Sequence, residues 1–187
     1  MTDFVNQHRV VNFSIAIILF ILAFIIPAAI IYPLKPSFIT LEAQEIGTTH
    51  WSLITGAVGI LALASIFLVF AIMEKKVRKI VLIFAFGLLA FIGTYLSVKD
   101  YYYVTPNYFA SNGPFSFETK IYEWDDFESV EEILVKKDGT TLVEIVVLHM
   151  KDGSQIEYKG GAMLSMSRTI ISKVQDAGGR HMRTKPK

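Results

Sequence analysis

Two apolar runs, Trp51 to Met73 and Ile80 to Val98, contain no Asp, Glu, Lys or Arg, and only Glu74-Lys75-Lys76-Val77-Arg78-Lys79 separates them. Each run is long enough to cross a bilayer, which takes roughly 20 apolar helical residues. Six residues cannot build a domain between two such runs. The sequence therefore predicts an antiparallel pair of membrane helices, 51–73 and 80–98, joined by a tight basic turn. Short loops rich in Lys and Arg stay on the cytoplasmic side, so Lys75, Lys76, Arg78 and Lys79 are the expected topology determinants.

A third run, Phe13 to Tyr32, is also free of charge and contains Pro27, which a membrane helix accommodates as a kink. It is longer than the roughly 7 to 15 residues of a signal-peptide core and ends in bulky Ile30, Ile31 and Tyr32. It is read as an uncleaved first helix, 13–32, which makes residues 1–98 a three-helix transmembrane region. Pro33-Leu34-Lys35-Pro36 should stop it and open a loop to Trp51, with Tyr32 and Trp51 as interfacial anchors. With a cytoplasmic N-terminus, Arg9 and the four basic residues of the turn lie inside, against only Lys35 and Lys99 near the membrane outside. That imbalance predicts a multi-pass cell-membrane protein with its C-terminal domain outside the cytoplasm.

Composition fits this division. Mean hydropathy is +0.45 and 52% of the residues are hydrophobic, above the usual share of a soluble domain. From Lys99 onward the chain carries twelve basic and thirteen acidic residues, a balance that argues against nucleic-acid binding. The chain has no cysteine, which removes disulfides, thiolate metal sites and cysteine nucleophiles together. Thr55, Gly56, Ala57, Gly59, Ala62 and Ala64 give the second helix a small-residue surface on which another helix could pack closely. None of the three runs contains an ionisable group of the kind ion and proton pathways use, so transport by this chain alone is not expected.

Residues 99–187 change period. Tyr101 to Val104 reads as a strand, Thr105-Pro106-Asn107 as a turn, and Tyr108 to Ala110 as the return. Phe115 to Trp124 alternates, with Phe115, Phe117, Thr119 and Ile121 on one face. Lys137-Asp138-Gly139-Thr140 and Lys151-Asp152-Gly153-Ser154 are hairpin turns, because Asp-Gly supplies the positive φ that tight turns need. Between them Leu142 to Leu148 is apolar enough for a central strand covered on both faces. After Gly160-Gly161 a helix is expected over 162–177, with Met163, Met166, Ile170 and Val174 on its core face and Gly178-Gly179 as its stop. The tail from Arg180 to Lys187 reads as a disordered, solvated basic end.

Short strands followed by one amphipathic helix, with Tyr103-Val104-Thr105 at the start and the corner Ile121-Tyr122-Glu123-Trp124-Asp125-Asp126-Phe127-Glu128-Ser129-Val130, resemble the bacterial PH-like (pleckstrin-homology-like) domains found beside membrane helices. The resemblance covers about Tyr101 to Gly178 and rests on structural motifs. It implies a mostly-β domain with a terminal helix that acts as a binding or oligomerisation module, without ligand residues that carry over. Many members keep this domain in the cytoplasm, the opposite side from the one the basic turn predicts.

Catalytic chemistry finds little support. His8, His50, His149 and His181 have no metal-ligand spacing, and Asp125, Asp126, Glu128, Glu131 and Glu132 form an acidic cluster that reads as a solvated corner. No catalytic, cofactor or metal residue is assigned, and no cofactor is expected. The functional expectation is a non-catalytic module presented at the membrane surface to a protein, peptide or envelope partner. The alternatives are an accessory or immunity-type subunit of a larger membrane complex, and an anionic-lipid binder with Arg180, Arg183, Lys185 and Lys187 as candidate lipid contacts. The oligomeric state stays open.

Overall fold

The computed structural model describes residues 2–40, 42–137, 140–160 and 162–185, with backbone only for 2–6 and 162. The chain divides into two compact units, one formed by Met1–Lys35 and Trp51–Lys99, the other by Pro36–His50 and Asp100–Lys187.

In the first unit, helix α1 runs Thr2–Leu22. The kink expected at Pro27 takes the form of a break in the helix. Chain direction turns by 67° before a second arm, Pro27–Ser37, made of a π-helical turn Pro27–Ile31, a single α turn α2 (Tyr32–Leu34) and a 3-10 turn Lys35–Ser37. Pro27 sits where the arm starts, lacking an N–H to continue the ladder and displacing the carbonyl four residues before it. Helices α3 (His50–Ile72) and α4 (Lys76–Lys99) are both long and apolar enough to cross a membrane. The link between them is shorter than the six-residue basic turn. Lys76, Arg78 and Lys79 occupy the first turn of α4, where the helix dipole disfavours cations, and Lys79 Nζ lies over the Phe70 ring, 4.6 Å from its centroid.

The small residues of α3 are spent inside the chain. Ser52, Gly56 and Gly59, spaced four and three apart, are buried against Gly93, Thr94 and Ser97 of α4. A Cβ added at Gly93 would lie 2.8 Å from the Cα of Gly59. Backbones this close are possible only with glycine on both sides. At the same end of the pair, Lys35 is 2% exposed and donates from Nζ to Ser52 Oγ at 2.7 Å, while Ser52 Oγ donates to the Ser97 carbonyl at 2.8 Å. The Pro33-Leu34-Lys35-Pro36 stretch expected to open a loop thus places Lys35 buried in the helical unit.

The second unit has two four-stranded sheets. The first has the order β1 (Glu45–Gly47), β2 (Tyr101–Val104), β3 (Tyr108–Asn112), β4 (Lys120–Glu123), all antiparallel. Strand β1 comes from the stretch read as a loop. Gly47 stands opposite Tyr102, whose ring would be 2.2 Å from any added Cβ, so the strand needs glycine there. The second sheet has the order β7 (Gln155–Lys159), β6 (Thr140–Met150), β5 (Phe127–Lys137), β8 (Arg180–Thr184), with β8 parallel to β5.

Two readings of the β region need correction. Gly113 to Thr119 is a loop, opened by Ser116 N–H donating to Gly113 O at 3.0 Å, and the expected alternation survives only in β4. On β6 both faces are covered only at Val146, Val147 and Leu148, while Leu142 is exposed. The Lys151 turn forms, with Gly153 at φ +86° and Asp152 Oδ1 accepting from Ser154 N–H at 2.8 Å; Asp138-Gly139 lie outside the described residues.

Helix α5 (Ala162–Asp176) follows, entered through Gly160, while Gly161 lies outside the described residues. It buries Met163, Met166, Ile170 and Val174 in a core shared with Tyr102, Phe109, Phe127, Val130 and Leu148. It ends in a Schellman turn: Gly179 N–H donates to Val174 O at 2.8 Å and Gly178 N–H to Gln175 O at 2.9 Å, with Gly178 at φ +85°.

Candidate functional site

Two surfaces of the second unit carry chemistry. The first is the free edge of the first sheet. Among the described residues strand β4 pairs only with β3, so its outer edge over Lys120 to Tyr122 is open to another strand, while the Glu123 N–H is taken by Asp126. Beside it Phe117 is 94% exposed, Phe115 71% and Ile121 61%. Exposed single apolar residues are ordinary, but Phe117 and Ile121 line the same concavity. A concavity of about 650 Å³ opens here, lined by Phe117, Glu118, Lys120, Ile121, Tyr122 and Asp152 among others. The opposite edge, β1, is tied to α5 instead, where Thr169 Oγ1 donates to Glu45 Oε1 at 2.6 Å.

The second is the seam where β8 pairs with β5. Glu132 is 3% exposed and takes Arg183 Nε at 2.7 Å, with His181 Nε2 at 3.1 Å. Glu131 accepts from the Thr184 hydroxyl and lies 3.1 Å from His149 Nε2. Glu128 takes Arg180 at 2.8 Å. Over Arg180–Thr184 the tail expected to be disordered is thus a strand, and the solvated acidic corner is, at Glu132, a buried ion-pair centre. Asp126 has a different task, accepting from Glu123 N–H at 2.9 Å in a capping box around Trp124–Asp126. Among the described residues no group of three His, Asp or Glu side chains is placed to hold a metal ion.

Of the candidate lipid contacts, Arg180 and Arg183 are engaged by β5 carboxylates, Lys185 is exposed, and Lys187 lies outside the described residues. The topology determinants belong to the first unit, around the α3–α4 connection. There Glu74 takes Arg9 at 2.6 Å, although Lys75, Lys76, Arg78 and Lys79 alone suggested the turn's importance. Strand β8 escaped sequence reading because Arg180-His181-Met182-Arg183-Thr184 follows a glycine stop and has one apolar residue. Its signal was the charge spacing that matches Glu128, Glu131 and Glu132.

The carboxylates respond to these partners. Hydrogen bonds from Thr184 and His149 hold Glu131 below the usual carboxylate range. Burial pushes Glu132 upward, but the hydrogen bonds and charges of Arg183 and His181 outweigh it and leave it lowered as well. A carboxylate lowered in the folded state stabilises it above the ordinary value of 4.5, and that contribution is lost as pH falls through the lowered folded value. Amide protection of residues 180–184, corrected for intrinsic exchange rate, is therefore expected to hold at pH 5 and collapse toward pH 3. Equal or greater protection at the lower pH would contradict this assignment.

Comparison with known proteins returned no match: no protein family, no curated protein and no solved structure is significantly similar to the chain.

Proposed function

We propose that this chain is a non-catalytic, membrane-anchored docking module that takes an extended peptide segment of a partner protein along the β4 edge. The observation that carries the reading is the open outer edge of β4 beside a concavity lined by exposed Phe117 and Ile121. Strand addition draws affinity from main-chain hydrogen bonds and specificity from pockets for alternate side chains, and this rim offers both. In this reading α3, α4 and the bent α1 arm are three crossings of the cell membrane. The Arg9–Glu74 ion pair supports one shared face for the N-terminal helix and the basic connection, which the basic-side rule makes cytoplasmic. Two sheets and α5 support a PH-like reading of the domain, with β8 as a departure from its strands-then-helix order.

A single thiol placed at exposed Glu118, in a chain without cysteine, tests the proposal. Impermeant maleimide should label Glu118→Cys on intact cells, and a photo-crosslinker attached there should capture one partner. Adding Phe117→Ser with Ile121→Ser should lower capture by roughly tenfold or more, since burial of each such side chain is worth about 1.5–3 kcal/mol. Undiminished capture would reject docking at this edge. Loss of the partner only on changing Phe84 and Phe91, exposed on α4, would favour the accessory-subunit reading. Labelling only after lysis would reverse the orientation.

A further inference from the structure

We propose that the β5 edge is a second strand-accepting site, selective for a basic extended segment and closed in cis by the chain's own β8. It goes beyond the β4 docking surface and shares no residue with it. The pairing is parallel over five positions, Ser129↔Arg180 to Ile133↔Thr184, so β5 already acts as a template for strand addition. What makes it selective is charge: three carboxylates of β5 meet three basic side chains and a hydroxyl of β8, with Glu132 at the centre. The apolar contribution of β8 is small, because Arg180, Met182, Arg183 and Thr184 are exposed and only His181 is half-buried. A strand held mainly by edge hydrogen bonds and ion pairs is among the first elements to open locally. Gly178 and Gly179 provide the swivel, the former already at φ +85°. When β8 lifts, the β5 backbone and its carboxylates face solvent as an acidic, unpaired edge. The occupant that fits is an extended segment with basic residues at the positions of Arg180, His181 and Arg183. The strap acts as a built-in competitor at the millimolar effective concentration typical of a short flexible tether.

The test uses the full-length protein in detergent or nanodiscs and a labelled peptide of the sequence Gly-Gly-Arg-His-Met-Arg-Thr-Lys. Loosening the strap with Arg180→Ser and Arg183→Ser should raise affinity for the peptide at least tenfold over the native chain. Adding Glu132→Gln should abolish that gain. Because Glu132→Gln could also disturb folding, a second variant is required. Cysteines at Ile133 and Thr184, opposite each other in the parallel ladder, lie at the spacing of neighbouring strands, within disulfide reach. Introduced into the loosened chain, they should block peptide binding when oxidised and restore it on reduction. Three results would overturn the proposal: no peptide binding by the loosened chain, equal binding by the native chain, or binding indifferent to the disulfide lock.

Discussion

Replacing Gly93 by leucine is expected to force α3 and α4 apart and cost the helical unit on the order of 3 kcal/mol or more. The first atom added would lie 2.8 Å from the Gly59 Cα and amide nitrogen and from the Thr55 carbonyl oxygen. All three are backbone atoms of a regular helix, so no rotamer change relieves the clash. Overpacking a tight interface costs about 1–3 kcal/mol even where side chains yield, and here the helices themselves must move. Separation also loosens the node where Lys35 meets Ser52 and Ser52 meets Ser97, since that node spans the same two helices. Gly87 on α4 supplies the control, because nothing lies within 4 Å of a Cβ built there. Gly87→Leu should leave thermal stability in detergent within about 0.5 kcal/mol of the native chain. If the two variants melt and elute alike, the close approach at Gly59 and Gly93 does not hold the pair together.

Phe109→Ala is the corresponding lesion in the β region, with an expected loss of about 3–5 kcal/mol. Phe109 is 0% exposed, and five rings surround it: Tyr102, Tyr122, Trp124, Phe127 and Tyr158, with centroids 6.0 to 6.5 Å away. Those rings come from both sheets and from the 3-10 turn Trp124–Asp126 between them, so a cavity there removes ring contacts with both sheets. The surroundings cannot readily collapse into it. Trp124 is held by its indole N–H, donated to Pro106 O at 3.1 Å, and Tyr158 by its hydroxyl, donated to Ser111 Oγ at 2.7 Å. Near-ultraviolet circular dichroism of the full-length protein should lose its aromatic signal at a denaturant concentration well below that of the native chain. Phe117→Ala, at a residue 94% exposed, should leave the midpoint unchanged. Equal midpoints for the two variants would mean that Phe109 is not central to this core.

Local chemistry was the legible part of this chain. Charge-free runs announced α3 and α4, since apolar helices need no tertiary partner to be recognised. The helical period placed Met163, Met166, Ile170 and Val174 on one face of α5, and Gly178-Gly179 marked its end. Asp152-Gly153 marked a hairpin turn for the same reason, a φ that only glycine adopts freely. Where period misled, a nearby breaker had overridden it: Gly113-Pro114 turned the start of the Phe115 run into a loop, leaving Phe117 exposed.

What only the tertiary structure decided is which distant segments meet. The small-residue face of α3 could equally have served a second copy; Gly93 and Ser97 claim it within the chain. Glu45-Ile46-Gly47 is too short to signal a strand, and it becomes one because Tyr102 offers a ladder and a ring that only a glycine can sit against. Arg180 to Thr184 is polar enough to read as solvated tail, and it becomes β8 because Glu128, Glu131 and Glu132 wait on β5, some fifty residues earlier. Sequence alone determines hydrophobic period, turn stereochemistry and charge balance, because these act over a few neighbouring residues. Pairing across long separations depends on which surfaces the folded chain brings together, as β1 on β2 and β8 on β5 show.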